Sequence, residues 1–198
     1  ASIDNVFRDG GGTLSLWIYP RSDGEGDNGY IISKRSLSNI NWTLSVAGES
    51  GSTVDLNFAH AFSTSLGEWI VDDQVPLNQW THIAIKYDST NANNDPVFYL
   101  DGEVVAFTEF TTPVGSMVDD SADDLFIGNR VNGNRTFDGQ IDDVKLYNSV
   151  RSSEQILNDY VEGPPPVGWW KLDEKTGTNT VDGSGFGNTG ALTDATWQ

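Results

Sequence analysis

Two parts of this chain carry oxygen-bearing side chains that could hold a metal ion. Residues 182–190 form a glycine-rich stretch with Asp182 and Asn188, and Asp142 and Asp143 stand side by side earlier in the chain. Oxygen ligands of this kind suit Ca²⁺, whereas cysteine is absent and histidine is scarce, which disfavours softer metals. We therefore expect Asp182, Asn188, Asp142 and Asp143 to be calcium ligands. The alternative is a glycine-rich turn beside an ordinary acidic surface.

Seven tryptophans are many for 198 residues, and some of them could bind sugars. Aromatic rings stack on the apolar faces of sugar rings, so an exposed tryptophan among polar residues suggests carbohydrate binding. Trp69 lies in such a polar stretch, and we expect it to face a ligand together with Asn41 and Arg130. Three tryptophans sit in strand-like runs and are expected to pack in the core or on a sheet face: Trp17, Trp42 and Trp80.

The motifs of common enzymes are missing from the sequence. There is no Gly-x-Ser-x-Gly elbow, no His-Glu-x-x-His and no phosphate-binding glycine loop. Retaining glycosidases need two carboxylates about 5 Å apart, and here the glutamates are scattered. We therefore expect no catalytic activity, although two separate carboxylates could still meet in the folded chain.

Composition narrows the possible partners. The formal net charge is −18, which disfavours nucleic acid because such binding depends on Lys and Arg at the phosphates. The same charge disfavours anionic membrane surfaces. No apolar run approaches the roughly 20 residues of a membrane-spanning helix, so membrane insertion is not expected. No signal peptide is visible. The length of 198 residues suits one domain.

Strand patterning dominates the chain. Alternating or short apolar runs rich in branched and aromatic residues cover residues 14–19, 42–46, 80–87 and 97–100. Asp101 and Gly102 predict a two-residue hairpin turn, since a type I′ turn needs positive φ at both central residues. One helix is predicted over residues 152–160, with Ser152 or Ser153 as its N-cap. The fold class predicted is all-β: a two-sheet antiparallel β-sandwich with one short helix.

Several motifs in order resemble those of a laminin G-like, concanavalin A-like jelly-roll domain. They lie at residues 12–20 with 31–34, 79–84 with 98–102, 125–128, 137–147 and the helix at 152–160. Residues 169–174, Trp-Trp-Lys-Leu-Asp-Glu, and the loop at 182–190 resemble the opening strand and first loop of the same domain type. Because this opening comes last, the sequence resembles either a circular permutant or a window across two tandem repeats.

The expected domain organisation follows from that order. Residues 1–161 form a laminin G-like body, residues 162–168 a proline-rich connector, and residues 169–198 a segment that completes the sandwich. The connecting chain is long enough for residues 169–174 to lie beside residues 140–147. Closure within one chain is favoured because a tethered strand acts at high effective concentration. Exchange between chains would give a strand-swapped dimer instead of a monomer.

The resemblance implies a non-catalytic extracellular or cell-surface module that binds carbohydrate, as polysaccharide or glycoprotein glycan, with or without calcium. Fold does not fix function, so two alternatives stay open. One is a structural or adhesive repeat that mediates protein contacts. The other is a glycoside hydrolase or lyase, which would need paired carboxylates in an open groove.

Overall fold

The computed structural model describes residues 3–8, 10–37, 40–162, 176–177, 179–180 and 190–191. The chain divides into two compact units, Ala1–Val161 and Glu162–Gln198. The strands of the first unit are β1 (Gly12–Pro20), β2 (Asn28–Arg35), β3 (Ile40–Ser50), β4 (Thr53–His60), β5 (Gly67–Pro76), β6 (Thr81–Tyr87), β7 (Val97–Leu100), β8 (Glu103–Val105), β9 (Thr108–Thr111), β10 (Asp124–Ile127) and β11 (Gly139–Tyr147). Helix α1 spans Ser153–Glu162.

These strands form two antiparallel sheets. The five-stranded sheet has the order β11-β1-β6-β7-β8, and the six-stranded sheet has the order β10-β2-β3-β4-β5-β9. Their inner faces share one apolar core that includes Leu16, Trp42, Phe58 and Ile85. The predicted two-sheet antiparallel β-sandwich with one short helix is confirmed.

Strand β4 shows how alternation builds the sandwich. Its side chains are alternately half-buried and buried, because successive residues of a strand point to opposite faces. Leu56 and Phe58 point into the core, while Asn57 and Ala59 point away from it. The same alternation on the neighbouring strands gives the six-stranded sheet one apolar inner face and one polar outer face.

The predicted turn at Asp101 and Gly102 joins β7 to β8. Both residues have positive φ, 49° and 81°, as a type I′ turn requires. Asp101 also accepts a hydrogen bond on Oδ1 from the main-chain N of His82, at 2.8 Å. The turn chemistry read from two residues is therefore confirmed.

Helix α1 begins with a capping box, in which two residues exchange hydrogen bonds. Gln155 N donates to Ser152 Oγ at 3.1 Å, and Ser152 N donates to Gln155 Oε1 at 2.9 Å. Ser152 is thus the N-cap. The helix packs on the outer face of the five-stranded sheet, where Tyr160 stacks on Trp17 with ring centres 5.7 Å apart.

Two short strands lie in the described residues of the second unit. Strand β12 (Asn179–Thr180) pairs antiparallel with β13 (Gly190–Ala191). Residues 169–174, predicted to lie beside β11, fall outside the described residues. The predicted closure of the sandwich by that segment, and the choice between monomer and strand-swapped dimer, stay predictions.

Candidate functional site

The outer face of the six-stranded sheet is the polar surface with the features of a binding site. Its central row, given by the strand register, runs from Tyr30 on β2 through Ser45 and Asn57 to Ile70 on β5. Ile70 in turn pairs with Thr108 on the edge strand β9. Strands lie about 4.8 Å apart, so this row is roughly 19 Å wide.

One side of the outer face is bordered by the loop between β10 and β11. The Arg130 guanidinium lies 5.6 Å from the centre of the Tyr30 ring. Arg130 Nε also donates to Asn134 Oδ1 at 2.9 Å, which fixes the guanidinium in this position. Ser33 Oγ donates to the main-chain O of Asn129 at 3.1 Å, so the loop is tied to β2 at a second point.

Small side chains occupy the middle of the outer face. Ser33 pairs with Thr43, and Thr43 pairs with Ala59, in one row across β2, β3 and β4. Ser33 and Thr43 are buried and Ala59 is half-buried. Ser33 and Thr43 are 0% and 4% exposed, so this row is covered by its surroundings and is not open to solvent.

Among the residues that the structure describes, four buried polar atoms on the outer face have no hydrogen-bond partner. They are Asn28 Oδ1, Arg35 Nη1, Asn41 Oδ1 and Asn57 Oδ1. Buried polar groups are nearly always paired, because an unpaired one has lost its hydration without compensation. Three of these atoms accept hydrogen bonds and one donates. All four atoms are closed to solvent in this structure, so a ligand could reach one only after its side chain moves.

The opposite edge of the sheet presents an exposed aromatic side chain. Phe110 on β9 is 69% exposed. The pairing of β9 with β5 shifts between Glu109 and Thr111, which places Phe110 at a bulge. Bulges commonly redirect a side chain at a sheet edge. Phe110 thus gives the edge of the six-stranded sheet an apolar surface open to solvent.

The outer face of the five-stranded sheet is closed by helix α1. His82 is buried there, with Nε2 2.9 Å from Ser15 Oγ and its ring against Trp17 and Tyr160. Burial lowers the pKa of His82 to about 4, so the ring is neutral at physiological pH. His82 Nδ1 and Trp17 Nε1 also lack partners, but the helix separates them from any ligand. His82 is therefore a packed sheet residue.

The acidic residues before β10 have a structural role. Asp120 is buried and accepts hydrogen bonds from Asn5 N at 2.6 Å and Trp42 Nε1 at 3.2 Å. Burial raises the pKa of Asp120, opposed by these hydrogen bonds and by Lys34 nearby. Lys34 Nζ itself is paired with Asp4 Oδ1 at 2.9 Å. These hydrogen bonds and the ion pair join the chain before β1 and the chain before β10 to β2 and β3.

The expectation that Trp69 faces a ligand is wrong. Trp69 is fully buried on the inner face of β5, stacked on Phe58 with ring centres 6.0 Å apart. Its Nε1 donates to Asp95 Oδ1 at 3.0 Å, which satisfies the indole N–H. The neighbouring Ile70, and not Trp69, points to the outer face.

Asn41 and Arg130 do belong to the outer face, at separate places. Asn41 is buried at the start of β3 and its Nδ2 donates to Asp123 Oδ2. Arg130 lies beside Tyr30, which pairs with Ser45 four residues further along β3. The structure therefore does not bring Trp69, Asn41 and Arg130 together in one site.

Half of the predicted calcium site can be described. Asp142 is exposed on β11, and Asp143 lies at a bulge with φ of 49° and pairs with Lys145 at 2.7 Å. Asp182 and Asn188 fall outside the described residues. Within the described part of the chain, no group of three or more His, Cys, Asp or Glu side chains could hold a metal ion. Calcium binding at this place stays a prediction.

The two antiparallel sheets define a jelly-roll β-sandwich. A family model described as the concanavalin A-like lectin/glucanases superfamily matches residues 2–157. Because the match covers well over half of the chain, the protein belongs to this superfamily. No curated protein sequence matches the chain.

Solved structures similar to the chain include several carbohydrate-binding domains. The CBM40 of the Ruminococcus gnavus IT-sialidase, bound to α2,3-sialyllactose, has a TM-score of 0.57 at 14% identity, covering 77% of this chain and 84% of that one. A putative carbohydrate-binding protein from Bacteroides ovatus has 0.52 at 19%, covering 95% and 55%. The heptameric SAP-like pentraxin of Limulus polyphemus has 0.56 at 16%, covering 74% and 68%. At these identities the similarity establishes the fold.

Tyr30, Arg35 and Asn57 were not identified from the sequence as parts of a site. Asn57 alternates with Leu56 and Phe58, so its place on a polar face could have been predicted. Its alignment with Tyr30 depends on the register of three strands, which the sequence does not reveal.

In the described residues no helix is long and apolar enough to span a membrane.

Proposed function

We propose that this protein is a non-catalytic carbohydrate-binding module and that glycan binds to the outer face of its six-stranded sheet. The observation that supports this most is the set of four unpaired polar atoms on that face, three acceptors and one donor. A sugar hydroxyl both donates and accepts hydrogen bonds, so one class of ligand can satisfy all four atoms. A simple anion could pair with Arg35 alone.

Reaching these atoms requires little movement on β2 and β4. Asn28 and Asn57 are half-buried, so a rotation of the side-chain amide turns the oxygen towards the surface. Tyr30 lies in the same row as Asn57, but it is 8% exposed and Arg130 lies over its ring. The contribution of this row to binding is therefore assigned to the polar side chains and not to stacking on Tyr30.

A glycan array with the full chain tests the proposal, followed by titration calorimetry of the glycans retained. Asn57→Ala removes an acceptor at the centre of the face and is expected to weaken binding at least fivefold. Asn148→Ala is the matched control, because Asn148 is exposed just after β11 in the other sheet. Binding to no glycan, or equal losses in the two variants, would refute the proposal.

The proposal places the protein outside the cell, where polysaccharides and glycoprotein glycans occur. Calcium is a further proposal, with Asp142 and Asp143 as ligands together with Asp182 and Asn188. Asp143 would have to exchange its ion pair with Lys145 for the metal. Raising free Ca²⁺ should then raise the melting temperature, because a ligand that binds the folded state alone stabilises it. An unchanged midpoint would contradict calcium binding without affecting the glycan site.

A further inference from the structure

Two aromatic side chains lie together at one end of the outer face of the five-stranded sheet. Ile18 on β1 lies in the core and pairs with Thr81, the first residue of β6. Successive residues of a strand point to opposite faces, so the adjacent Tyr19 and Trp80 point outward. Their ring centres are 5.7 Å apart, with an angle of 62° between the ring planes. These two side chains form an aromatic pair on the outer face.

Helix α1 covers the neighbouring row of the sheet and leaves part of the aromatic pair exposed. Tyr160 of the helix stacks on Trp17 and contacts His82. Beyond this cover, Trp80 is 38% exposed, whereas the other tryptophans of the described residues are at most 8% exposed. Tyr19 is half-buried beside it. The Trp80 indole therefore presents apolar ring surface to the solvent.

Polar side chains stand next to the aromatic pair on the same face. Gln140 on β11 pairs with Tyr19, and Asp142 pairs with Trp17, so both project to the side of the sheet that carries Trp80. Both are exposed. The amide of Gln140 can donate and accept hydrogen bonds, as a sugar hydroxyl can. An exposed aromatic ring beside such a group suits a sugar, whose apolar face stacks on the ring while its hydroxyls bond to the amide.

The charge around the aromatic pair limits what can bind there. Asp142 lies beside the covered row on one side, and Asp101 lies on the other, where its Oδ1 accepts from His82 N at 2.8 Å. The whole chain has a formal net charge of −18. Like charges repel, so this surface disfavours acidic sugars and also a second copy of the chain. A neutral sugar meets no such repulsion.

From this arrangement we infer that the aromatic pair is a second carbohydrate-binding site and that it takes a neutral sugar, stacked on Trp80 and hydrogen-bonded to Gln140. The inference rests on the proposed carbohydrate binding and adds a separate site with its own class of ligand. The outer faces of the two sheets point away from each other, so a chain with both sites can hold two glycan segments at once. Such bivalent contact raises the avidity for a surface that carries many glycans.

Tryptophan fluorescence of the full chain tests the inference. The probes are the methyl glycosides of glucose, galactose, mannose and N-acetylglucosamine, compared with glucuronic acid and N-acetylneuraminic acid. At least one neutral glycoside should shift the emission, and the two acids should not. Trp80→Ala should abolish the shift, whereas Val150→Ala should keep it, because Val150 is 45% exposed at the other end of β1 and β11. A shift that persists in Trp80→Ala, or a larger shift with an acid, would overturn the inference.

A second variant decides the matter if Trp80→Ala fails to fold. Gln140→Ala changes an exposed side chain and should weaken binding of the neutral glycoside at least threefold, so an unchanged affinity would overturn the inference. Light scattering checks the alternative occupant: a dimer that Trp80→Ala converts to a monomer would show a contact between copies instead. If a glycan array retains the full chain but no glycoside shifts the emission, this inference fails and the proposed function stands. An array that retains nothing overturns the proposed function itself.

Discussion

The Arg130 guanidinium lies 5.6 Å from the centre of the Tyr30 ring, which holds the loop between β10 and β11 against the six-stranded sheet. Arg130→Gln removes this contact and the charge beside the proposed glycan site. A cation–π contact of this kind is worth about 1 kcal/mol of stability. Glycan affinity should fall several-fold, because the loop beside the proposed site is then no longer held in place. Titration calorimetry measures the change. Arg21→Gln, at an exposed arginine, is the control and should leave the affinity unchanged.

Trp69 is predicted to affect stability and not glycan recognition. Trp69→Ala removes a fully buried ring and leaves Asp95 without the indole donor, so unfolding should become easier by about 3–5 kcal/mol. Urea denaturation gives this value. Trp80→Ala, at a partly exposed ring, should cost less than half as much. A folded Trp69→Ala protein of normal stability that had lost glycan binding would contradict the placement of Trp69 in the core.

His60 should make stability depend on pH. Burial lowers its pKa to about 4 in the folded chain, from 6.5, so the unfolded chain binds more protons between these values. The contribution of neutral His60 to the free energy of unfolding is therefore fully present above about pH 6.5. It is lost as the pH drops towards 4. At pH 5 the loss from this residue is on the order of 2 kcal/mol.

The variant His60→Gln isolates this effect. Denaturation curves at pH 7 and pH 5 should show a smaller loss of unfolding free energy in the variant than in the original chain. The carboxylates titrate in both proteins, so the difference between the two losses reports the histidine. Equal losses would mean that His60 is not buried in its neutral form.

The capping box of helix α1 should contribute measurably to stability. Ser152→Ala removes the acceptor for Gln155 N and should lower the unfolding free energy by about 1 kcal/mol. Thermal denaturation followed by circular dichroism measures this. Ser149→Ala, at an exposed residue before the helix, should change stability by less than about 0.5 kcal/mol. Equal effects of the two variants would argue against the cap.

Deletion of residues 167–198 tests the predicted role of the C-terminal segment. Strand β11 ends the five-stranded sheet among the described strands, and exposed sheet edges are usually covered. If residues 169–174 cover that edge, the shortened chain should lose cooperative unfolding. The measurement is a thermal melt of both chains. A shortened chain with the original midpoint would show that residues 1–166 are complete without the segment.

Local patterns in the sequence were enough to predict the sandwich, the β7–β8 turn and the helix with its cap. Alternation, turn residues and capping residues act over a few neighbouring positions, so the local structure they favour can be predicted from the sequence itself. Asp101, Gly102 and Ser152 each adopt the predicted role. The family resemblance added the jelly-roll class, which the family match confirms.

The sequence by itself determined where polar and apolar residues alternate along each strand. Only the tertiary structure decided which of these residues lie on the outer face of a sheet. Trp69, Ile70 and Val71 are all apolar, so alternation could not show that Trp69 points inward and Ile70 outward. Asn28 and Asn57 share one surface because the register of β2, β3 and β4 aligns them. Register depends on contacts between residues far apart in the chain, and those contacts form only when both sheets pack around the core.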